Sequence, residues 1–571
     1  MNEKDWLYRL KKCLGYIILG SIFLLSGCSN KNEELLTLDV FAGRANYQGE
    51  QKGWYAKIVQ DKFNLKLNII APNVSGGGNL LFESRLAAGK VGDIIITSNK
   101  NMAACAEEGI LADLSPYIEK TTYLKEYLDG IKRMNEQNGF GDAIYIIPTS
   151  MSSMSPTEPV LYGDKPEVAS FLPWGFYKEL GCPAITNEKE LLDVLEQMQA
   201  NHPETQDGKK IYAFSLFKDW DVEYMSLAAH MVKSYGFIDT TDSIFTSADL
   251  SNLQYVAEKD GIYYRMLHLY FEANQRGLLD PESGVQSFDA MYEKARNKQV
   301  LYLWWAWMLG NYDDGSAEDR HVFIPVSNSS VVCEGFSKYG DGYAYAVGKD
   351  TKDIKRVVEF LDWMASPEGM MYYGAGLEGI SYKFDVEGKP VYTNYSNEAW
   401  KNNETLAEEY GGGSYSEGFC QFNDTIVQMK DINPETGESF YSENWTSTIR
   451  TNRGVVSQQW ADFFGASSPV EYLKKNELLE VAVKTDYVPK EESEQLMIIR
   501  EKCASLIKDY SWKMIFAETE EQFEEYWDTL RVLLYQNGYE QLEEADLKII
   551  EQMRSNREKL LNTTDPKSVN D

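Results

Sequence analysis

The chain has 571 residues, of which 43% are hydrophobic and 25% charged, and its formal net charge is −32. That length suits a globular protein of about three or four domain-sized units. So acidic a chain lacks the basic footprint that nucleic-acid phosphates require, and it is unsuited to tight adsorption on anionic lipid.

The N-terminal segment carries Arg9, Lys11 and Lys12, then an apolar run over residues 14–25 and the sequence Leu25-Ser26-Gly27-Cys28. A basic head, an apolar middle and small residues at a cut site make a secretory signal peptide. The run is shorter than the roughly 20 residues of a membrane-spanning helix. Leu-Ser-Gly-Cys resembles a bacterial lipobox, in which the cysteine takes a lipid such as palmitate and becomes the first mature residue. The alternative is an uncleaved anchor with an incidental cysteine. The expectation is a signal peptide over 1–27, a polar tether over 28–35, and a folded body held through Cys28 on the extracytoplasmic face of the cell membrane.

Residues 36–42 alternate between apolar and polar and read as a strand. A polar loop over 43–53, a helix over 54–63 and a second strand over 64–70 follow, then a helix ending at Ala88 and an apolar third strand over 93–97. This order predicts a parallel sheet built from right-handed crossovers. The glycine run Gly76-Gly77-Gly78 has no Lys and Ser/Thr after it, which excludes a P-loop and leaves a flexible turn. Further on, 101–109 reads as a helix and 143–148 as a strand. Thr186 is placed to cap a helix over 188–200, and 211–217 reads as a strand. An apolar helix spans 261–276, with Gly277 at its end. Residues 300–308 run from a strand into an aromatic cluster, and 342–347 is another strand. Thr351 is expected to cap a helix to Ala365, and Pro367 to start the next. From 491 onward the chain is helical and acidic, with breaks near Glu518 and Asn537.

Besides Cys13 and Cys28, five scattered cysteines remain: Cys105, Cys182, Cys333, Cys420 and Cys503. An odd number without a C-x-x-C pair reads as buried free thiols rather than a disulfide framework or a zinc site. His202, His230, His268 and His321 show no metal-ligand spacing.

Several segments, in chain order, carry a family resemblance. They are Asp93-Ile94-Ile95-Ile96 with Glu108-Gly109-Ile110-Leu111-Ala112-Asp113-Leu114, Trp174-Gly175-Phe176-Tyr177-Lys178-Glu179-Leu180-Gly181, and Gly277-Leu278-Leu279-Asp280-Pro281-Glu282. Trp305-Ala306-Trp307, Phe360-Leu361-Asp362-Trp363-Met364 with Ser366-Pro367-Glu368-Gly369, and Gly376-Leu377-Glu378-Gly379-Ile380-Ser381-Tyr382 complete the set. Together they resemble the sugar-binding extracellular solute-binding lipoproteins of bacterial ABC importers, whose maltose-binding members carry a W-A-W that packs on sugar. One departure is Leu172-Pro173, where that family usually has arginine-aspartate.

The resemblance implies an α/β, two-lobe periplasmic-binding-protein-like fold (type II) with a helical C-terminal extension. Lobe one takes 36–146 with about 348–400, and lobe two takes 147–342 with much of 401–571. The segments 144–150 and 343–347 are the candidate crossings between lobes. The tract 411–494 matches nothing in the resemblance. Ligand is expected in a cleft at the strand ends. The implied partners are a carbohydrate, read as an oligosaccharide, and the transmembrane subunits of an ABC permease, with no cofactor and a monomeric chain.

A sugar ring has apolar C–H faces and a rim of hydroxyls, so its binding calls for flat aromatic platforms beside polar side chains. Trp305 and Trp307 follow a strand and are the leading platforms, whereas Trp304 alternates away and is expected in the core. Trp220, between Asp219 and Asp221, combines a ring with acceptors. Arg44, Asn46 and Tyr47 lie in the loop after the first strand, and Trp174, Tyr372 and Tyr382 complete the candidates. Each has a bland alternative: core packing for the rings, a solvated loop for 44–47. A polyanionic ligand would want several arginines, and only Arg44 is offered, which favours a neutral or weakly charged oligosaccharide.

Two other functional classes remain. A cell-surface glycoside hydrolase would need two carboxylates about 5–10 Å apart, for which Asp219 and Asp221 on one face of an extended segment are the nearest pair. No G-x-S-x-G elbow or Cys-His signature supports catalysis. A lipid-anchored sugar sensor or adhesion protein would use the same cleft.

Overall fold

The computed structural model describes residues 34–75, 78–312, 320–326, 329–485 and 493–564. The expected signal peptide, Cys28, most of the expected tether, and Gly76 and Gly77 lie outside the described residues. The chain divides into two compact units, one formed by residues up to Ser150 with Gly342–Lys383 and Tyr392–Val427, the other by Met151–Asp341, Phe384–Val391 and the chain from Gln428 on. Residues 401–427, expected with the second lobe, thus pack in the first unit. The chain passes between units at 383/384, 391/392 and 427/428 as well as near the two anticipated crossings.

The first unit is built on a six-stranded sheet in the order Gly49–Glu50, Leu65–Ile70, Leu36–Ala42, Ile94–Ser98, Tyr343–Val347, Ile146–Pro148. The alternation of 36–42 has the expected cause, since Leu36, Leu38 and Val40 are buried while Thr37 is exposed. Leu36–Ala42 pairs in parallel with Leu65–Ile70 and with Ile94–Ser98, the outcome of two crossover connections. The sheet as a whole is mixed rather than parallel. Tyr343–Val347 runs antiparallel to Ile94–Ser98 and to Ile146–Pro148, and Gly49–Glu50 antiparallel to Leu65–Ile70. Tyr343–Val347 returns from a distant part of the chain, so no short crossover fixes its direction.

The helices Ile354–Met364 and Pro367–Gly374 explain one motif residue by residue. Asp362 accepts hydrogen bonds from the backbone nitrogens of Thr122, Tyr123 and Leu124 at 2.8–3.0 Å. The indole of Trp363 donates to Glu368 at 2.7 Å. A Cβ at Gly369 would lie 2.1 Å from the Trp363 carbonyl oxygen, so only glycine allows the second helix to start so close to the end of the first. Two capping expectations shift. Asp353, not Thr351, caps the first of these helices, accepting from the nitrogen of Arg356, and Asn187, not Thr186, caps Glu188–Asn201, accepting from that of Glu190. The cap is the residue whose oxygen reaches the third backbone nitrogen of the helix, which a one- or two-residue error in the helix start displaces.

In the second unit Val168–Pro173 pairs antiparallel with Leu303–Trp305 on one side and His321–Phe323 on the other. Helices Glu188–Asn201 and Ile262–Gln275 pack into one core with this sheet. The expected strand at 211–217 is extended chain with only single bridges, Tyr212 to Val300 and Phe214 to Leu279. The tract that sequence left unassigned supplies the helices Thr446–Asn452, Val455–Phe464 and Pro469–Lys475, then the strand Leu479–Ala482, parallel to Val331–Glu334. The last three helices among the described residues are Glu494–Ile515, Glu520–Gln536 and Tyr539–Thr564. Asp546, fully buried in the last of them, ties it to the first by pairing with Arg500 at 2.8 Å and to the rest of the unit by accepting from Ser243. Cys105, Cys333, Cys420 and Cys503 are buried and Cys182 is half-buried, all as free thiols. No helix among the described residues is long and apolar enough to cross a membrane.

Candidate functional site

The aromatic cluster arises where a strand becomes a helix. Leu303–Trp305 is held on Val168–Pro173, and at Ala306 the backbone turns into the helix Ala306–Tyr312, with the Ala306 nitrogen donating to the Glu167 carbonyl oxygen at 2.9 Å. In a continuing strand, residues two apart share a face; in a helix they diverge. The junction leaves the rings of Trp305 and Trp307 side by side, centroids 5.6 Å apart and planes 23° from parallel. Trp220 stands 5.3 Å from Trp305 at 61° and stacks on Phe288 at 4.7 Å. Trp304 faces the other way and is fully buried, its indole donating to the Tyr270 hydroxyl.

Trp220, Trp305 and Trp307 line a cavity of about 340 Å³ with Glu167, His230, Lys233, Cys333 and Glu334. Its polar wall is made of two carboxylates held by three lysines. The Glu167 carboxylate meets the Lys430 ammonium at 2.5 Å. Glu334 is clamped between Lys233 at 3.1 Å and Lys484 at 2.6 Å. The Lys484 and Lys233 charges hold the Glu334 carboxyl well below the usual carboxylate range. Burial disfavours the Lys233 ammonium, but Glu334 and Asp239 outweigh it and raise its pKa. Burial, helped by the Lys233 charge, pushes His230 down to about 4, so its ring is neutral at physiological pH. Its Nδ1 is buried without a hydrogen-bond partner, and the ring stands edge-on to Trp305 at 5.3 Å. The Cys333 thiol is pushed up to about 12 by burial, which leaves it protonated and unreactive. The cavity therefore offers flat rings and charged oxygen acceptors, and no activated nucleophile.

Of the residues singled out from sequence, the cavity gathers Trp220, Trp305 and Trp307. Asp219 and Asp221 do not share a face. The chain turns there, with the Asp221 nitrogen donating to the Lys218 carbonyl oxygen. Asp219 accepts from the nitrogen of Phe288 at 2.7 Å, while Asp221 accepts from Ser226 and from the Trp512 indole at 2.7 Å. Each carboxylate is thus engaged as an acceptor by N–H donors of its own surroundings. Asp221 borders a broader open groove of about 760 Å³ with Trp512, Lys508 and Lys513, where both its oxygens are already engaged. Trp174 is 2% exposed. It packs beside Tyr177, Phe463 and Phe464 and donates to Gln459, a core residue rather than a platform.

The remaining candidates lie in the first unit. The Arg44 guanidinium sits over the Tyr343 ring, 3.5 Å from its centroid, and pairs with Asp424 at 2.9 Å. Asn46 is exposed, and the Tyr47 hydroxyl donates to the Glu50 carbonyl oxygen. Tyr372 is half-buried near Trp54 and Trp363, and Tyr382 is buried at the start of a short strand. Sequence reasoning missed Glu167, His230, Lys233 and Glu334. They come from three separate segments, His230 and Lys233 sharing one, and none carries a local motif.

The profile of the family described as bacterial extracellular solute-binding protein matches residues 46–371. No curated protein sequence matches the chain. Among solved structures, the alginate-binding protein AlgQ2 superimposes with a TM-score of 0.60 at 15% identity, over 92% of this chain and 98% of its own. An HMO-binding, ABC-transporter-associated solute-binding protein from Bifidobacterium longum infantis gives 0.60 at 13% identity, over 91% of this chain and 99% of its own. The S. pneumoniae ABC-transporter substrate-binding protein FusA, in complex with kestose, gives 0.57 at 12% identity, over 91% of this chain and 100% of its own. The fold is thus the expected α/β solute-binding fold with a helical C-terminal region.

Proposed function

Because the chain belongs to the family of bacterial extracellular solute-binding proteins, we propose that it captures an oligosaccharide and hands it to the transmembrane subunits of an ABC permease, binding its ligand without turning it over. The observation that carries this reading is the cavity itself. Three tryptophan rings meet two lysine-clamped carboxylates in about 340 Å³, a volume suited to one or two sugar rings. Rings take the C–H faces of a sugar and carboxylates take its hydroxyls. The alginate-, HMO- and kestose-binding character of the structural neighbours supports the same ligand class. The Leu25-Ser26-Gly27-Cys28 motif supports a chain tethered by a lipid on Cys28 to the extracytoplasmic face of the membrane, and we read that chain as a monomer. Screening the chain from Ser29 onward on a glycan array tests the reading. It predicts binding to a restricted set of oligosaccharides, and binding to none of them would overturn it.

A further inference from the structure

We propose that this cavity selects neutral sugars over acidic ones, with Glu334 as the discriminating residue. The inference rests on the carbohydrate reading of the same cavity and adds to it the charge class of the ligand. In the Lys233–Glu334 and Lys430–Glu167 pairs the carboxylate is the more exposed member, whereas Lys484, on the other Glu334 oxygen, is 34% exposed and is not among the residues lining the cavity. The Glu334 side chain is 43% exposed against 13% for Lys233, and Glu167 is 43% exposed against 8% for Lys430. Lys233 and Lys430 neutralise the wall from behind, and what the cavity lining presents to a ligand is a pair of acceptor groups.

An ionised carboxylate only accepts hydrogen bonds, so the ligand must supply donors. Sugar hydroxyls are such donors. The carboxylate of a uronic acid is not, and it brings a like charge against the exposed oxygens of Glu334 and Glu167. Nothing nearby reverses this. His230 is neutral, Lys233 already donates to Glu334, Lys484 is paired with the other Glu334 oxygen from outside the lining, and among the described residues no arginine lines the cavity. Glu334 stands out because two lysines, Lys233 and Lys484, fix both of its oxygens and keep it ionised.

The test is calorimetric titration of the chain from Ser29 with neutral glucan, mannan, galactan and fructan oligosaccharides and with their counterparts oxidised to the carboxylate at the primary hydroxyl. Wild type should bind at least one neutral member, and its oxidised counterpart at least about tenfold more weakly, with the gap narrowing at high salt. Glu334→Gln should bring the pair to within about threefold of each other, a change in ratio that a merely structural role would not produce. If that variant fails to fold, the wild-type ratio and its salt dependence still decide the matter. Equal or tighter binding of the oxidised sugar overturns the selectivity while leaving the carbohydrate reading intact. Absence of binding by every sugar, neutral or acidic, overturns the carbohydrate reading and this inference with it.

Discussion

Trp305 and Trp307 stack with ring centroids 5.6 Å apart although the backbone changes from strand to helix between them. Stacking across such a junction sets two rings at one rim of the cavity, while Trp304, one residue earlier, is fully buried. The three neighbouring tryptophans therefore answer differently to truncation.

Trp307→Ala and Trp304→Ala separate platform from core. Trp307 is half-buried at the cavity, so its loss removes stacking and burial of the ligand and should weaken binding by roughly 2–4 kcal/mol, about 30- to 1000-fold. Trp304→Ala should instead leave a cavity costing about 3–5 kcal/mol of stability, with affinity unchanged in the folded molecules. Trp305, 4% exposed yet at the cavity, should lose both affinity and melting temperature. Titration and thermal denaturation of all three variants check the pattern. Unchanged affinity for Trp307→Ala would remove it from the site.

Asp431 makes stability depend on pH. It is 1% exposed and accepts from the Ser152 hydroxyl and, at 3.0 Å, from the Ser153 nitrogen. Burial pushes its pKa up to about 6, against the opposing pull of those hydrogen bonds. An unfolded aspartate titrates near about 3.9. The folded state thus holds a proton that the unfolded state releases, and the stability this contributes is present below about pH 4 and lost as pH rises through about 6. Asp431→Asn keeps a carbonyl acceptor and never ionises. Relative to that variant, wild type should lose up to about 3 kcal/mol between about pH 4 and pH 7 in chemical denaturation. Parallel pH profiles for the two proteins would refute the assignment.

Cys28→Ser tests the anchor. Without the thiol no lipid is attached, so the variant should appear in the medium or accumulate as a precursor that keeps residues 1–27. Membrane retention of the variant with an unchanged lipid-modified mass would rule the lipobox out.

Most of the fold was legible because its signals are local. The alternation at 36–42, the apolar run at 93–97 and the proline start at Pro367 each reflect burial or backbone geometry within a few residues. The direction of Tyr343–Val347 was not, since its partners Ile94–Ser98 and Ile146–Pro148 lie about 200 or more residues away in sequence. The site divides the same way. Trp220, Trp305 and Trp307 could be found because aromatic clusters stand out in sequence. Glu334 and Lys484 could not, since nothing short-range marks a carboxylate whose partner arrives just after a parallel strand some 150 residues later. Trp174 and Asp221 looked equally eligible on residue type alone, and only their contacts distinguish them, Trp174 donating to Gln459 from the core and the half-buried Asp221 accepting from the Trp512 indole.

The most direct test of the account is calorimetric titration of the soluble chain with the best glycan-array binder, followed by analysis of the recovered sugar. The account predicts saturable binding at one site, quenching of tryptophan fluorescence that is lost in Trp307→Ala, and recovery of the sugar intact. Binding that persists unchanged in Trp307→Ala, or recovery of the sugar as cleavage products, would contradict it.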